Sequence, residues 1–478
     1  MATTAGAKKG LWSTIRRIAA SDRISGLIML GFALTGLVLA NLPATAHAFE
    51  TVAETHLFIP YTNLDLPIGH WAQDGLLTIF FLTVGLELKQ ELTTGSLANP
   101  KAAAVPMLCA VGGMIAPPIL FLAVTALFSQ IGPGEPGTLI LTTTGSSIPF
   151  SEMSHGWAVP TATDIAFSLA VLALFAKALP GSIRAFLMTL ATVDDLLAII
   201  LIAVFFSSIN AWYWFIGIAV CAAIWAYLVR LKKVPWIAVG IVGILAWIMM
   251  FEAGVHPTLA GVLVGLLTPS REMHGELSPR AERYANKLQP FSALLALPIF
   301  ALFATGVHFE SMSPLLLASP LVIALIVALV VGKPLGIITT AWLATHVGGL
   351  KMAKGLRVRD MIPAAVACGI GFTVSFLIAS LAYKNAELSA EARFGVLVAS
   401  LIAAAISGVL LSRQSKRFEK AAAAQAAAAE ALADAEAGES IDVNGTGQPS
   451  RTTKPTTPTE HPGTLADGTA SVEIDFRH

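Results

Sequence analysis

The sequence predicts an all-α polytopic membrane protein with twelve transmembrane helices. Three observations carry that expectation. Of 478 residues, 55% are apolar and only 13% charged, where a soluble globular chain carries about 25% charged residues. Mean hydropathy is +0.73, and at about 20 residues per bilayer crossing the apolar stretches up to residue 413 hold about a dozen spans, which excludes a soluble enzyme. The 30 Lys and Arg balance the 30 Asp and Glu, so no nucleic-acid partner is expected; their placement along the chain is the informative part. Cys109, Cys221 and Cys368 all fall within apolar runs, with neither metal-ligand spacing nor a disulfide framework.

Taken in order, the first span lies near 23–41. It is too long for the apolar region of a signal peptide, lacks a convincing small-residue cleavage site and is followed by many more spans, so it is expected to stay in the mature chain. Further spans lie near 72–95, 103–128, 157–178, 181–206, 211–230, 235–250, 256–269 and 282–307. The tenth, 315–346, exceeds a straight crossing and contains Gly332-Lys333-Pro334; the piece from Leu335 to His346 is too short to cross alone, so one kinked segment is expected. Spans at 360–383 and 392–413 complete the set.

The loops agree with that count. Lys8, Lys9, Arg16, Arg17 and Arg23 precede the first span. Alternate loops then carry Lys89 and Lys101; Lys177 and Arg184; Arg230, Lys232 and Lys233; Arg271, Arg280, Arg283 and Lys287; and Lys351, Lys354, Arg357 and Arg359. Arg413, Lys416, Arg417 and Lys420 follow the last span. Loops 42–71, 129–156, 207–210, 251–255 and 308–314 hold no Lys or Arg, and only Lys384 and Arg393 break the alternation. By the positive-inside rule both termini are cytoplasmic and the number of spans is even. Residues 1–22 are then a cytoplasmic N-terminus, 23–413 the membrane domain and 414–478 a cytoplasmic tail, Ala-rich and helix-favouring from Lys420 to Ala437 and disordered in composition beyond. Loop 42–71 allows a short hairpin, with His56-Leu57-Phe58-Ile59 and Leu64-Asp65-Leu66 around Tyr61-Thr62-Asn63.

Four ionisable residues lie well inside spans: Asp164 in the fourth, Asp194 and Asp195 in the fifth, and Lys333 in the tenth. Each charge at the bilayer centre costs about 2.5–3.5 kcal/mol on insertion scales. Three acids against one base leave surplus negative charge, to be protonated, paired with a cation, or both at different times; that alternation is the chemistry of a proton-coupled cation carrier. Adjacent acids point about 100° apart around a helix, so one can coordinate an ion while the other meets Lys333. The oxygen-rich setting, with no Cys or His cluster, suits a hard cation such as Na⁺. Span four reads Trp157-Ala-Val-Pro-Thr-Ala-Thr-Asp164 and span eleven Gly369-Ile-Gly-Phe-Thr-Val-Ser375. Such interruptions mark broken helices whose free ends face a cavity, with Asp164 placed to offset positive N-termini and Lys333 negative C-termini; glycine-mediated helix packing is the plainer alternative.

The runs ATDIAF, TVDDLLAI, GKPLGI and GIGFTVSFLIASLA, with FFLTVGLELKQEL (Glu87, Glu91) and GVHPTLAGV (His256), occur in one order over residues 20 to 413. Together they resemble the NhaA-type Na⁺/H⁺ antiporter family. The resemblance implies twelve helices with inverted repeats, spans three to five against ten to twelve, and two crossed discontinuous helices, four and eleven. It implies Asp195 as the main Na⁺ or Li⁺ ligand, Asp194 beside it and paired with Lys333 when no ion is bound, and Asp164 and Thr163 as support at the helix crossing. It also implies electrogenic exchange of more than one inward proton per extruded Na⁺, serving Na⁺ and pH homeostasis in the bacterial inner membrane, a homodimer formed through loop 42–71, and no cofactor. A pH response is tied to positions matching Glu87, Glu91, Glu252 and His256. A solvated helix face accounts equally for Glu87 and Glu91, and a structural role for His256 at a helix start. The chain departs from the family at Leu197, at Phe303-Ala304-Thr305, and in a longer loop 129–156 and tail. Its alternatives are a Na⁺-coupled organic-anion symporter of the same fold, a passive channel, and an intramembrane aspartyl protease, whose Gly-x-Gly-Asp motif is absent because Phe372 follows Gly371.

Overall fold

A computed structural model describes residues 14–58, 64–132, 136–140, 145–176, 179–306, 314–352 and 356–439. Lys8, Lys9, Lys177, Lys354, the hairpin tip Tyr61-Thr62-Asn63, most of loop 308–314 and the tail beyond Glu439 lie outside the described residues. The described chain is helical apart from two small hairpins. The helices are α1 (Asp22–Asn41) and α2 (Ala46–Glu54), then after the first hairpin α3 (Leu77–Thr93) and α4 (Pro100–Ile131). The second hairpin precedes α5 (Phe150–Thr161) and α6 (Ile165–Phe175). Helices α7 (Gly181–Phe205), α8 (Trp214–Leu228), α9 (Trp236–Glu252) and α10 (Leu259–Leu267) come next. They are followed by α11 (Arg280–Ala304), α12 (Pro320–Val347), α13 (Val358–Ala367), α14 (Phe372–Ala382) and α15 (Ala386–Glu439).

Six of the described helices are long and apolar enough to cross a membrane, and eight crossings result if each of two bent pairs is one span. The sequence leads one to expect twelve. The other four segments are helical but fall short for identifiable reasons. Helices α8 and α9 are apolar but only 15 and 17 residues long. Helix α3 carries Glu87, Lys89 and Glu91 in its last turns. Helix α10 has nine residues, about 13 Å at 1.5 Å per residue against a hydrocarbon core of about 30 Å. It packs along α3, where glycines let the backbones close: a Cβ on Gly265 would stand 2.8 Å from the backbone of Gly85 and Leu86.

The tenth predicted segment, expected as one kinked piece over 315–346, is one continuous helix, α12, over Pro320–Val347. Pro334 donates no backbone hydrogen bond and its ring would strike the carbonyl four residues back. The helix accommodates it with a π turn over Ala328–Gly332 just ahead of Lys333. On α4, Gly112 faces Gly336 of α12 so closely that a side chain on either would collide with the other's backbone. That contact draws Lys333 inward.

The first hairpin pairs β1 (His56–Phe58) with β2 (Asp65–Pro67), antiparallel. A second, which the sequence pattern does not predict, pairs β3 (Thr138–Ile140) with β4 (Ser147–Pro149) in the long loop. Its signal is short: one residue per strand, Leu139 and Ile148, is buried and the two are paired across the ladder. Contacts divide the chain into two units, Met1–Ser415 and Lys416–His478. In the second, residues 416–439 are helical and most of 416–432 is exposed.

Candidate functional site

The two bent pairs are buried about their breaks. Segments α5 and α6 meet at 50° across Ala162-Thr163-Asp164, and α13 and α14 at 58° across Cys368-Gly369-Ile370-Gly371. A proline–threonine run and a paired glycine run lie at the breaks, where helical hydrogen bonding stops. The two breaks hold each other. The Asp164 N–H donates to the Ile370 carbonyl at 2.7 Å. The Thr163 hydroxyl donates to the Cys368 carbonyl at 3.1 Å and the Ser168 hydroxyl to that of Ala367 at 2.8 Å.

Asp164 is buried and caps two helix N-termini at once. Its Oδ1 accepts from the Phe167 N–H of α6 at 2.9 Å, and its Oδ2 from the Thr373 N–H of α14 at 3.2 Å. A carboxylate there meets the partial positive charge of both helix ends. The opposite ends are treated in kind. The Lys333 ammonium donates to the Thr161 carbonyl, where α5 stops. Ser168 and Thr163 donate to the carbonyls of Ala367 and Cys368, the last of α13 and the one after it.

Lys333, 0% exposed, also forms an ion pair with Asp194 Oδ2 at 2.9 Å. Asp194 is 1% exposed, and its other oxygen is buried without a hydrogen-bond partner among the described residues. Asp195, 7% exposed, lies within electrostatic reach of Asp194, Asp164 and Lys333; among the described residues no hydrogen bond to its side chain is made. The structure thus brings Asp164, Thr163, Asp194, Asp195 and Lys333 into one buried cluster. Chemically, the cluster is oxygen-rich, with one ammonium committed to one of two adjacent acids.

The four residues associated with a pH response do not form one group. Glu87 and Glu91 lie near the C-terminal end of α3. His256 instead faces Asp74, ahead of the N-terminus of α3, with Nε2 3.5 Å from Oδ1 and Nδ1 2.6 Å from the Thr258 hydroxyl. Thirteen residues of helix separate Asp74 from Glu87, about 20 Å. Glu252 sits half-buried at the end of α9. Glu91 braces the turn that follows α3, where its Oε2 accepts from the Ser96 N–H and hydroxyl, each at 2.8 Å. Ser96 also shares a hydrogen bond of 2.9 Å with Thr189 of α7, five residues before Asp194.

Sequence reasoning missed Asp74, although an acid three residues inside a predicted span was the available signal. It also missed the Ser96–Thr189 link, for which no local signal exists. At the departure in span nine, the Thr305 hydroxyl donates to the Ala33 carbonyl of α1 at 2.7 Å, so this residue fastens the end of α11 to α1. Leu197 lies half-buried on α7.

Comparison with known proteins adds an independent finding. The family model described as Na⁺/H⁺ antiporter 1 matches residues 16–411. The chain is 96% identical, over the full length of both, to a protein of Bifidobacterium longum (strain NCC 2705) named Na(+)/H(+) antiporter NhaA. It is 88% identical, again over the whole of both chains, to the Bifidobacterium breve (strain NCIMB 8807 / UCC2003) protein of that name. A more distant relative, Na(+)/H(+) antiporter NhaA 1 of Kineococcus radiotolerans (strain ATCC BAA-149 / DSM 14245 / SRS30216), is 37% identical over 92% of this chain and 96% of its own.

Proposed function

This chain belongs to the Na⁺/H⁺ antiporter 1 family of multi-pass membrane proteins, and from that premise we propose that it extrudes Na⁺, or Li⁺, in exchange for more than one inward proton. Asp195 is the principal cation ligand and Asp194 assists it, while Lys333 holds Asp194 when no cation is bound. Asp164 and Thr163 keep the broken helices crossed beside the site. The observation that carries this reading is the unequal pair: of two adjacent buried acids, one is tied to Lys333 at 2.9 Å and the other has no hydrogen bond among the described residues.

The proposed cycle is alternating access with competing ligands. Open to the cytoplasm, the acids release protons and take the cation; neutralised, they let the two bundles rock; the cation leaves outward and protons reload the site. Coupling requires only that a carboxylate hold either a proton or a cation, because a ligand shifts a conformational equilibrium solely through its differential affinity for the two states. Twelve helices with inverted repeats, both termini in the cytoplasm and residence in the bacterial inner membrane complete the proposal, with residues 23–413 as the transport domain between cytoplasmic segments 1–22 and 414–478. The concentration of Lys and Arg in alternate loops, broken only by Lys384 and Arg393, supports that topology. The first hairpin, with Leu57 and Phe58 exposed, supports a homodimer formed through it. Glu87, Glu91, Glu252 and His256 are proposed to shape the pH response, from the two ends of α3.

The test is proton release from everted vesicles on addition of Na⁺, Li⁺ or K⁺ at several pH values. Wild-type protein is expected to respond to Na⁺ and Li⁺, and Asp195→Asn to give no response while still folding. Near-normal exchange by Asp195→Asn refutes the assignment.

A further inference from the structure

We infer that the Ser375 hydroxyl is a neutral ligand of the transported cation, acting with the Ala162 carbonyl at the crossing of the two broken helices. This rests on the antiport reading and extends the ion site beyond its carboxylates.

Ser375 is 0% exposed, and its Oγ is buried with no hydrogen-bond partner among the described residues. A buried hydroxyl left unpaired costs about 1–3 kcal/mol, so its presence in the buried first turns of α14 requires a reason. Other hydroxyls in this region are satisfied: Thr163 by Cys368, Ser168 by Ala367, and, further along α14, Ser380 by the Phe376 carbonyl at 2.8 Å. The Ser375 hydroxyl leans on the bare Cα of Gly371, and a Cβ there would collide with it. The same absent Cβ would lie 3.2 Å from the Ala162 carbonyl oxygen. Hydroxyl and carbonyl therefore flank one point, where the break of one helix passes that of the other. Among the described residues, no backbone donor reaches the Ala162 carbonyl.

This point is continuous with the charged cluster. Lys333 bridges Asp194 to the carbonyl of Thr161, the residue before Ala162. The electrostatics favour a cation. Two helix N-termini and two helix C-termini meet at the crossing and offset one another, leaving three carboxyl groups and one ammonium. A hard cation that sheds water on entering needs oxygens in exchange, and unwound backbone carbonyls beside acids supply them in broken-helix transporters. Carboxylates alone bind strongly but are also titrated by protons. A hydroxyl and a carbonyl do not titrate, so they add cation affinity without adding proton affinity, which sharpens the competition.

The experiment measures half-saturating Na⁺ and Li⁺ and maximal proton release in everted vesicles. It is paired with Na⁺-dependent thermal stabilisation of the purified full-length protein. Ser375→Ala is expected to raise half-saturating Na⁺ about tenfold, the worth of about 1.4 kcal/mol, with maximal exchange within about twofold of wild type. Ser375→Cys keeps the volume but replaces a hard oxygen with a soft sulfur, and is expected to weaken Na⁺ similarly without loss of fold. Ser380→Ala, on the same helix, is expected to leave half-saturation unchanged. The inference is overturned if Ser375→Cys has wild-type half-saturation, or if both Ser375 variants lower maximal exchange and sodium-free stability without weakening Na⁺. A wild-type protein silent to Na⁺ defeats the antiport reading itself, and this inference with it.

Discussion

Among the described residues two cations, Arg280 and Lys333, are wholly buried, and they are held in opposite ways. Arg280 opens α11 beside the last turn of α8. Its guanidinium donates to the Val229 carbonyl at 2.6 Å and the Leu231 carbonyl at 2.7 Å. It meets both oxygens of Glu276 through Nε and Nη2, the closest approach being 2.7 Å, and Arg283 adds a further bond of 2.7 Å to Glu276. A planar fork that cannot lose its proton is matched on several sides. Lys333 has one carboxylate oxygen and one carbonyl, while among the described residues a second Asp194 oxygen and the Asp195 carboxyl make no hydrogen bonds. An ammonium is a compact point charge with no planar fork to match. The first arrangement is built to stay; the second can change partner. Burial of a charge alone therefore does not mark the proposed ion site; what sets Lys333 apart is that carboxyl oxygens beside it make no hydrogen bond among the described residues.

The comparison can be broken most forcefully at the rigid end. Arg280→Ala leaves two carbonyls without their donor and Glu276 with Arg283 alone, and is expected to cost about 1–3 kcal/mol of stability for each buried group left unpaired, read as a fall in the thermal unfolding midpoint in detergent. Exchange per folded molecule should persist. If Arg280→Ala instead abolishes exchange in protein that remains folded, the clamp belongs to the transport machinery and the contrast fails.

Lys333→Ala should chiefly displace the pH profile of exchange and also lower stability, since it leaves a buried Asp194 oxygen without its ammonium. Profiles indistinguishable from wild type would count against the Lys333–Asp194 pairing.

Glu276 gives a smaller effect with a definite sign. The Arg280 hydrogen bond, with the charges of Arg280 and Arg283, holds its carboxyl below the ordinary glutamate value of 4.5. A carboxyl whose folded value is lowered contributes stability above its unfolded value and loses it as pH falls through the folded one. Glu276→Gln should therefore lower the unfolding midpoint at neutral pH, and the gap to wild type should close in acid below that value. A gap that persists in acid would show that the charge is not its cause. Smallest of all, Thr189→Val removes one hydroxyl contact with Ser96, worth about 0.5–1.5 kcal/mol. A shifted pH profile with near-normal maximal exchange would tie the Glu91 end of α3 to the helix of Asp194 and Asp195; an unchanged profile would leave that contact purely structural.

Much of this was legible in the chain. The four intramembrane charges stood out because each interrupts an apolar run, and the helix breaks showed as Pro160 and as Gly369 and Gly371. The segment 256–269, expected to be a span, is helical over Leu259–Leu267, since hydropathy registers composition and not where hydrogen bonding starts and stops. The β3–β4 hairpin was hidden in a Gly- and Ser-rich loop, since its buried signal is a single residue per strand. Asp74 went unnoticed at the edge of a span, where an acid looks like a boundary residue until His256, far along the chain, is packed against it.

By itself the sequence determined which segments are apolar, which carry charge, and where helices must break, because hydropathy, proline and glycine act within a few turns of their own position. No local pattern pairs Lys333 with Asp194 rather than its neighbour, across 139 residues, although the family resemblance implies it; only the tertiary structure decided that Asp164 caps a second helix 209 residues away. Those choices follow from how close Gly112 lets α4 and α12 approach and from the angle at which two broken helices cross, which no local pattern encodes.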